Sequence, residues 1–103
     1  MIKVTVLYPY SAGTKFDMAY YTSKHMPMVK NLCGPACKSI SADLGLSGGE
    51  PGSKPPYIAI GYLTFESVDS FQKAFAPNAA QILGDIPNYT NAQPVLQISE
   101  IKL

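Results

Sequence analysis

Residues 57–65 read YIAIGYLTF, and both parities of the run are apolar: Tyr57, Ala59, Leu63 and Phe65 on one side, Ile58, Ile60 and Tyr62 on the other. A strand with one wet face alternates apolar and polar residues, so a run without that alternation predicts a strand covered on both faces. The rest of the chain has to supply two covers.

Outward from this strand the other elements fall into place. At the start, Ile2, Val4, Val6 and Tyr8 share one face and Lys3, Thr5 and Leu7 the other, which is the period of a strand. After the turn PYSAGT, Asp17 can cap a helix through DMAYYTSKHMPMVKNL, which Gly34-Pro35 stops. The segment CKSISADLGL alternates through Lys38, Ile40, Ala42 and Leu44 as a second strand. Residues 45–56, GLSGGEPGSKPP, predict a long, exposed and mobile hairpin connection within one domain. A helix from Ser67 carries Val68, Phe71 and Phe75 as one stripe, Pro77 fits the first turn of a further helical piece, and Gly84 ends it. The closing PVLQISEIKL is a fourth strand whose irregular pattern predicts a bulge.

The order β-α-β-β-α-β predicts an α+β, ferredoxin-like domain spanning residues 1–103: an antiparallel four-stranded sheet with two helices on one face. One face of YIAIGYLTF then lies under the helices. The other needs a second copy of the chain, which predicts a homodimer with two sheets packed face to face.

Composition narrows the function. Eight basic residues, all lysine, stand against seven acidic ones, with no basic run and no arginine to clamp phosphate, so nucleic acid is not an expected partner. The start lacks the apolar block of a signal peptide or a membrane span, which predicts a cytoplasmic protein. Cys33 and Cys37, in CGPAC, have neither redox nor zinc spacing and read as reduced apolar side chains; no metal is expected. The SGGEPG run lies between two strands, where it cannot serve as a phosphate loop.

The candidate chemistry centres on the only histidine. Placed at about 100° per residue, Met18, Tyr21, His25, Met28, Val29 and Leu32 share one arc of the first helix, with Ser23, Lys24, Lys30 and Asn31 opposite. Pro27 frees the Ser23 carbonyl and disturbs the helix there. An inward imidazole among apolar residues is more often a satisfied core group than a catalyst. Against that, Tyr8, Tyr10, Tyr21 and Tyr62 are placed to reach a space between this helix and the sheet, and phenols with one imidazole make a pocket for a small ring compound.

The run LYPYSAGTKFDMAYYTSKHMPMV (residues 7–29) resembles the N-terminal signature of the EthD family: a strand ending in Tyr-Pro, then Phe-Asp, a Tyr-Tyr pair and His-x-Pro. FQKAFAPNAAQILGDIPNYTNAQPVLQISE (residues 71–100) resembles its second half. The resemblance implies a dimeric α+β barrel like those of small cofactor-free monooxygenases and polyketide cyclases, in a family named for ethyl tert-butyl ether degradation. It places the family histidine on His25, the tyrosine pair on Tyr20 and Tyr21, and the strand-end tyrosine on Tyr8; the wheel selects Tyr21 as the inward member. The expected site is therefore His25 and Tyr8 as catalytic groups, with Tyr21, Tyr62 and Met28 contacting a small hydrophobic or aromatic molecule. No cofactor is needed for an oxidoreductase, cyclase or isomerase of this kind. The alternative is a carrier or accessory protein that binds without turnover, and haem on His25 is a third reading.

Overall fold

The computed structural model describes all 103 residues and has four strands: β1 (Ile2–Pro9), β2 (Ser39–Leu44), β3 (Tyr57–Phe65) and β4 (Val95–Glu100). They form one antiparallel sheet in the order β2-β3-β1-β4, the ferredoxin-like arrangement. β3 and β1 are central because they are the most apolar strands, and β2 and β4 are edges.

The first helical layer is a continuous rod of three pieces: α1 (Met18–Tyr20), a π-helical turn (Tyr21–His25) and α2 (Met26–Cys33). Asp17 caps it, its Oδ1 accepting from the Tyr20 amide at 3.0 Å, and Gly34 ends it at φ 64°, a conformation a side chain would strain. The second layer runs from α3 (Val68–Phe75), capped by Ser67, through a 3-10 turn at Ala76–Asn78 into α4 (Ala79–Gly84) and a further 3-10 turn, Ile86–Asn88. Both layers lie on one face of the sheet. Ile2, Val4 and Tyr8 of β1 and Ala59, Leu63 and Phe65 of β3 point at them and form the core with Tyr21, Met26, Val29, Cys33, Phe71 and Ile82.

The π turn changes which residues face that core. A proline ring crowds the carbonyl four residues earlier, here that of Ser23, and the wider turn before Pro27 relieves the crowding, with the Met26 amide donating to Tyr21 O. Each residue of a wide turn advances less round the axis than an α residue does. Downstream positions therefore lag the 100° wheel: Met26, Val29 and Cys33 are buried, whereas Met28 and Leu32, expected inside, are only half-buried.

One further expectation is corrected. β4 pairs with β1 in unbroken register; the irregularity lies instead between β1 and β3 at Tyr8/Pro9, where proline has no N–H for the ladder. The uneven pattern of β4 reflects its edge position, which leaves Leu96 and Ile98 exposed although they pair with Val6 and Val4 on the helix side. Strand β3 is buried on its helix side from Ala59 to Phe65, with Tyr57 exposed at its start, and its other parity is half-covered in the single chain. The connection 45–56 is braced at its base, with Gly45 N donating to Ile58 O at 2.8 Å and Tyr10 N to Pro56 O at 3.0 Å.

Candidate functional site

His25 is almost wholly buried, at 4% exposure, and both ring nitrogens have partners. Nδ1 lies 2.9 Å from Asp85 Oδ2, and Nε2 lies 3.3 Å from the Tyr89 hydroxyl. The Tyr89 hydroxyl is in turn 2.6 Å from that of Tyr8. A line of polar atoms thus runs from Asp85 through His25 and Tyr89 to Tyr8.

Each member is placed by local structure. Tyr8 ends the regular part of β1. The π turn stacks Tyr21 on His25, with ring centroids 5.5 Å apart and planes 14° from parallel. Asp85 follows Gly84 at the end of α4, and the Asn88 amide donates to its carbonyl at 3.0 Å, closing the 3-10 turn. Its carboxylate also accepts from Tyr20 Oη at 2.7 Å and Asn88 Nδ2 at 2.9 Å, so two further donors aim it at His25. Tyr89 is pinned by a short zipper between residues 13–17 and 89–92: Asp17 N donates to Tyr89 O at 2.7 Å, Thr90 Oγ1 to Lys15 O at 2.6 Å, and Asn91 Nδ2 to Gly13 O at 3.0 Å.

Burial sets the charges. It lowers the His25 pKa below the ordinary value, against the pull of Asp85 in the other direction, so the ring rests neutral. Burial alone would raise Asp85, but the donors from Asn88, His25 and Tyr20 together outweigh it and hold the carboxyl below its usual range. Burial also pushes the Tyr8, Tyr21 and Tyr89 phenols well up, so they stay protonated.

Tyr8, Tyr21 and His25 form the polar side of an otherwise apolar cavity of about 40 Å³, walled by Val4, Met26, Leu63 and Phe65 among others. Leu83, Ile86, Pro94 and Leu96 separate it from a surface cleft of about 470 Å³ bordered by Thr90, Asn91 and Gln93. Leu83 and Leu96 are about half exposed, so this partition is the part of the wall nearest solvent.

Of the residues expected at the site, the structure brings together Tyr8, Tyr21 and His25. Tyr62 does not join them. Pairing opposite Thr5 and Ser41 turns it to the helix-free face, where the Lys3 ammonium sits 5.4 Å from its ring centre. Met28 also lies off the cavity, beside Gln81, and the π turn puts Met26 in its place. Tyr10 is exposed. Asp85, Tyr89 and Tyr20 were not among the expected site residues: the wheel turns Tyr20 outward, yet its hydroxyl reaches Asp85. Asp85 was one of four carboxylates, with Asp17, Asp43 and Asp69, that the fold could bring to His25, and the segment DIPNYT was the only hint of Tyr89. With both nitrogens of His25 engaged and so small a cavity beside it, these residues do not fit a haem.

The sequence model of the EthD domain matches residues 13–93. The chain belongs to the EthD family. Among known EthD-like structures, the crystal structure of an EthD-like protein from Ralstonia eutropha JMP134 is 46% identical, covers 99% of this chain and 92% of its own, and superposes with a TM-score of 0.95. A protein of Rhodococcus erythropolis, known as an uncharacterized 11.0 kDa protein of the thcB-thcC intergenic region, is 30% identical over 92 residues, 88% of this chain and 85% of its own. At 16% identity, a dimeric ferredoxin-like protein from Thermobifida fusca YX covers 97% of this EthD chain and 90% of its own with a TM-score of 0.65, sharing the fold. No helix of this EthD protein is long and apolar enough to cross a membrane.

Proposed function

We propose that this EthD protein binds a small hydrophobic or aromatic molecule between the π turn and the sheet and acts on it by acid–base chemistry centred on His25. The observation that carries the reading is a carboxylate-held imidazole on the wall of an apolar cavity. A histidine serving only as packing also has partnered nitrogens, as here, but it needs neither a carboxylate aimed by two other donors nor empty space beside two phenols. The cavity is smaller than the ~150 Å³ that admits benzene, so a ring enters by displacing Leu83 and Leu96 and keeps part of its body in the outer cleft. Small-molecule catabolism or secondary metabolism is the setting such chemistry serves.

Binding of 2-naphthol, followed by calorimetry, tests this. His25→Gln should keep the melting temperature within a few degrees and weaken binding about tenfold, or ~1.4 kcal/mol. A large fall in melting temperature with unchanged binding assigns His25 to packing.

We further propose a homodimer through the helix-free face, where Leu7, Ile58, Ile60, Tyr62 and Val95 gather. The dimeric ferredoxin-like protein of Thermobifida fusca supports this by fold. Sedimentation should give twice the 11.1 kDa chain mass, and Ile60→Glu should give a folded monomer. A monomeric wild type at micromolar concentration would refute it.

A further inference from the structure

We infer that the bound molecule surrenders its proton to Tyr8 and not to His25, with Tyr89 carrying the proton between them; this deepens the acid–base reading above and rests on it. The direction of the chain follows from counting donors. Asp85 accepts from Tyr20 and Asn88, and as an ionised carboxylate it has no hydrogen of its own, so His25 Nδ1 carries the hydrogen of their 2.9 Å contact. A neutral ring protonated at Nδ1 has a bare lone pair at Nε2. The Tyr89 hydroxyl, 3.3 Å away, must therefore donate to it. Its single hydrogen being spent, Tyr89 can only accept across the 2.6 Å contact with Tyr8, and Tyr8 must donate. Tyr8 lines the cavity, and its oxygen, with one lone pair turned to the Tyr21 hydroxyl, keeps a second as the acceptor for a ligand.

The step balances. A ligand hydroxyl or activated C–H passes its proton to the Tyr8 oxygen as the Tyr8 proton moves to Tyr89 and the Tyr89 proton to His25 Nε2. The ligand is left as an anion and His25 as an imidazolium beside the Asp85 carboxylate. Reversal returns the proton to whichever ligand atom then carries the charge. Both nitrogens of His25 are engaged, so the imidazole, although its ring lines the cavity, receives the proton only through Tyr89, which is a positioning and relay residue.

The photoacid 2-naphthol reads such a path, because its excited state emits as naphtholate only when an acceptor takes its proton. With the protein in excess, so that no free probe passes its proton to water, Tyr8→Phe and Tyr89→Phe should each lower naphtholate emission about tenfold or more, as should His25→Gln. If both phenylalanine variants keep wild-type emission while His25→Gln loses it, His25 meets the ligand directly: the relay falls and the acid–base reading stands. A wild type that fails to bind, or binds without naphtholate emission, overturns both. Nitrogen NMR of the ligand-free wild type provides a check that needs no variant. It should show His25 protonated at Nδ1 and bare at Nε2, and the opposite tautomer would reverse the chain and refute the relay.

Discussion

Gly61→Ala is expected to destabilise the chain by about 2–3 kcal/mol, and adding Tyr21→Phe is expected to recover most of the loss. Gly61 sits on the helix side of β3, opposite Val6, and a β-carbon there would collide with the Tyr21 hydroxyl and stand 3.1 Å from its Cζ. A flexible side chain would swing away. Tyr21 cannot, because Tyr8, Phe16, Tyr89 and His25 hold its ring from several sides with centroids 5.0–5.5 Å apart. Removing the hydroxyl takes away the atom that collides, so urea unfolding of the two single variants and the double should show strong favourable coupling. A double variant no more stable than Gly61→Ala alone would mean that the strand and not the phenol resists the methyl group. The glycine thus fixes how closely the phenol approaches the sheet.

The second large effect is expected at Asp85. Asp85→Ala leaves the buried Nδ1–H of His25 without an acceptor, at about 2–3 kcal/mol, while Tyr20 and Asn88 can turn to water. The pH profile adds a signature. His25 is held below its ordinary 6.5, so the folded state resists a proton that the unfolded state accepts, and stability falls as pH drops through 6.5 towards the lower folded value. Asp85, held below 3.8, adds a separate loss further into acid. Without Asp85, burial acts on His25 unopposed and its pKa drops further, so in Asp85→Ala the decline that begins near pH 6.5 should continue to lower pH. In His25→Gln that decline should vanish. Melting temperatures between pH 4 and 8 measure all three, and a wild type that gains stability on acidification from pH 7 would show that Asp85, not burial, dominates the histidine.

The fold was legible because its signals are local. YIAIGYLTF, the caps at Asp17 and Ser67 and the stops at Gly34 and Gly84 each set one element, and only one arrangement of six such elements was in view. The inward placement of Tyr8, Tyr21 and His25 was legible for the same reason. Asp85 and Tyr89 were not, because they reach His25 across 60 and 64 residues of chain, and no period or spacing links them to it. Tyr62 was misplaced because both parities of β3 are apolar, which conceals the parity that faces the helices. Met28 was misplaced by a wheel that assumed an even pitch, which Pro27 already put in question.

That uneven pitch has a bearing on how chains of this type should be aligned. A wide turn amounts to one residue inserted into an otherwise regular helix, and deleting that residue lets the rod close up without breaking. Relatives can therefore differ by one position between the tyrosine pair and the histidine while keeping both rings in the same place. A comparison that allows no gap there would set such a relative's histidine against Lys24 and report the imidazole as lost.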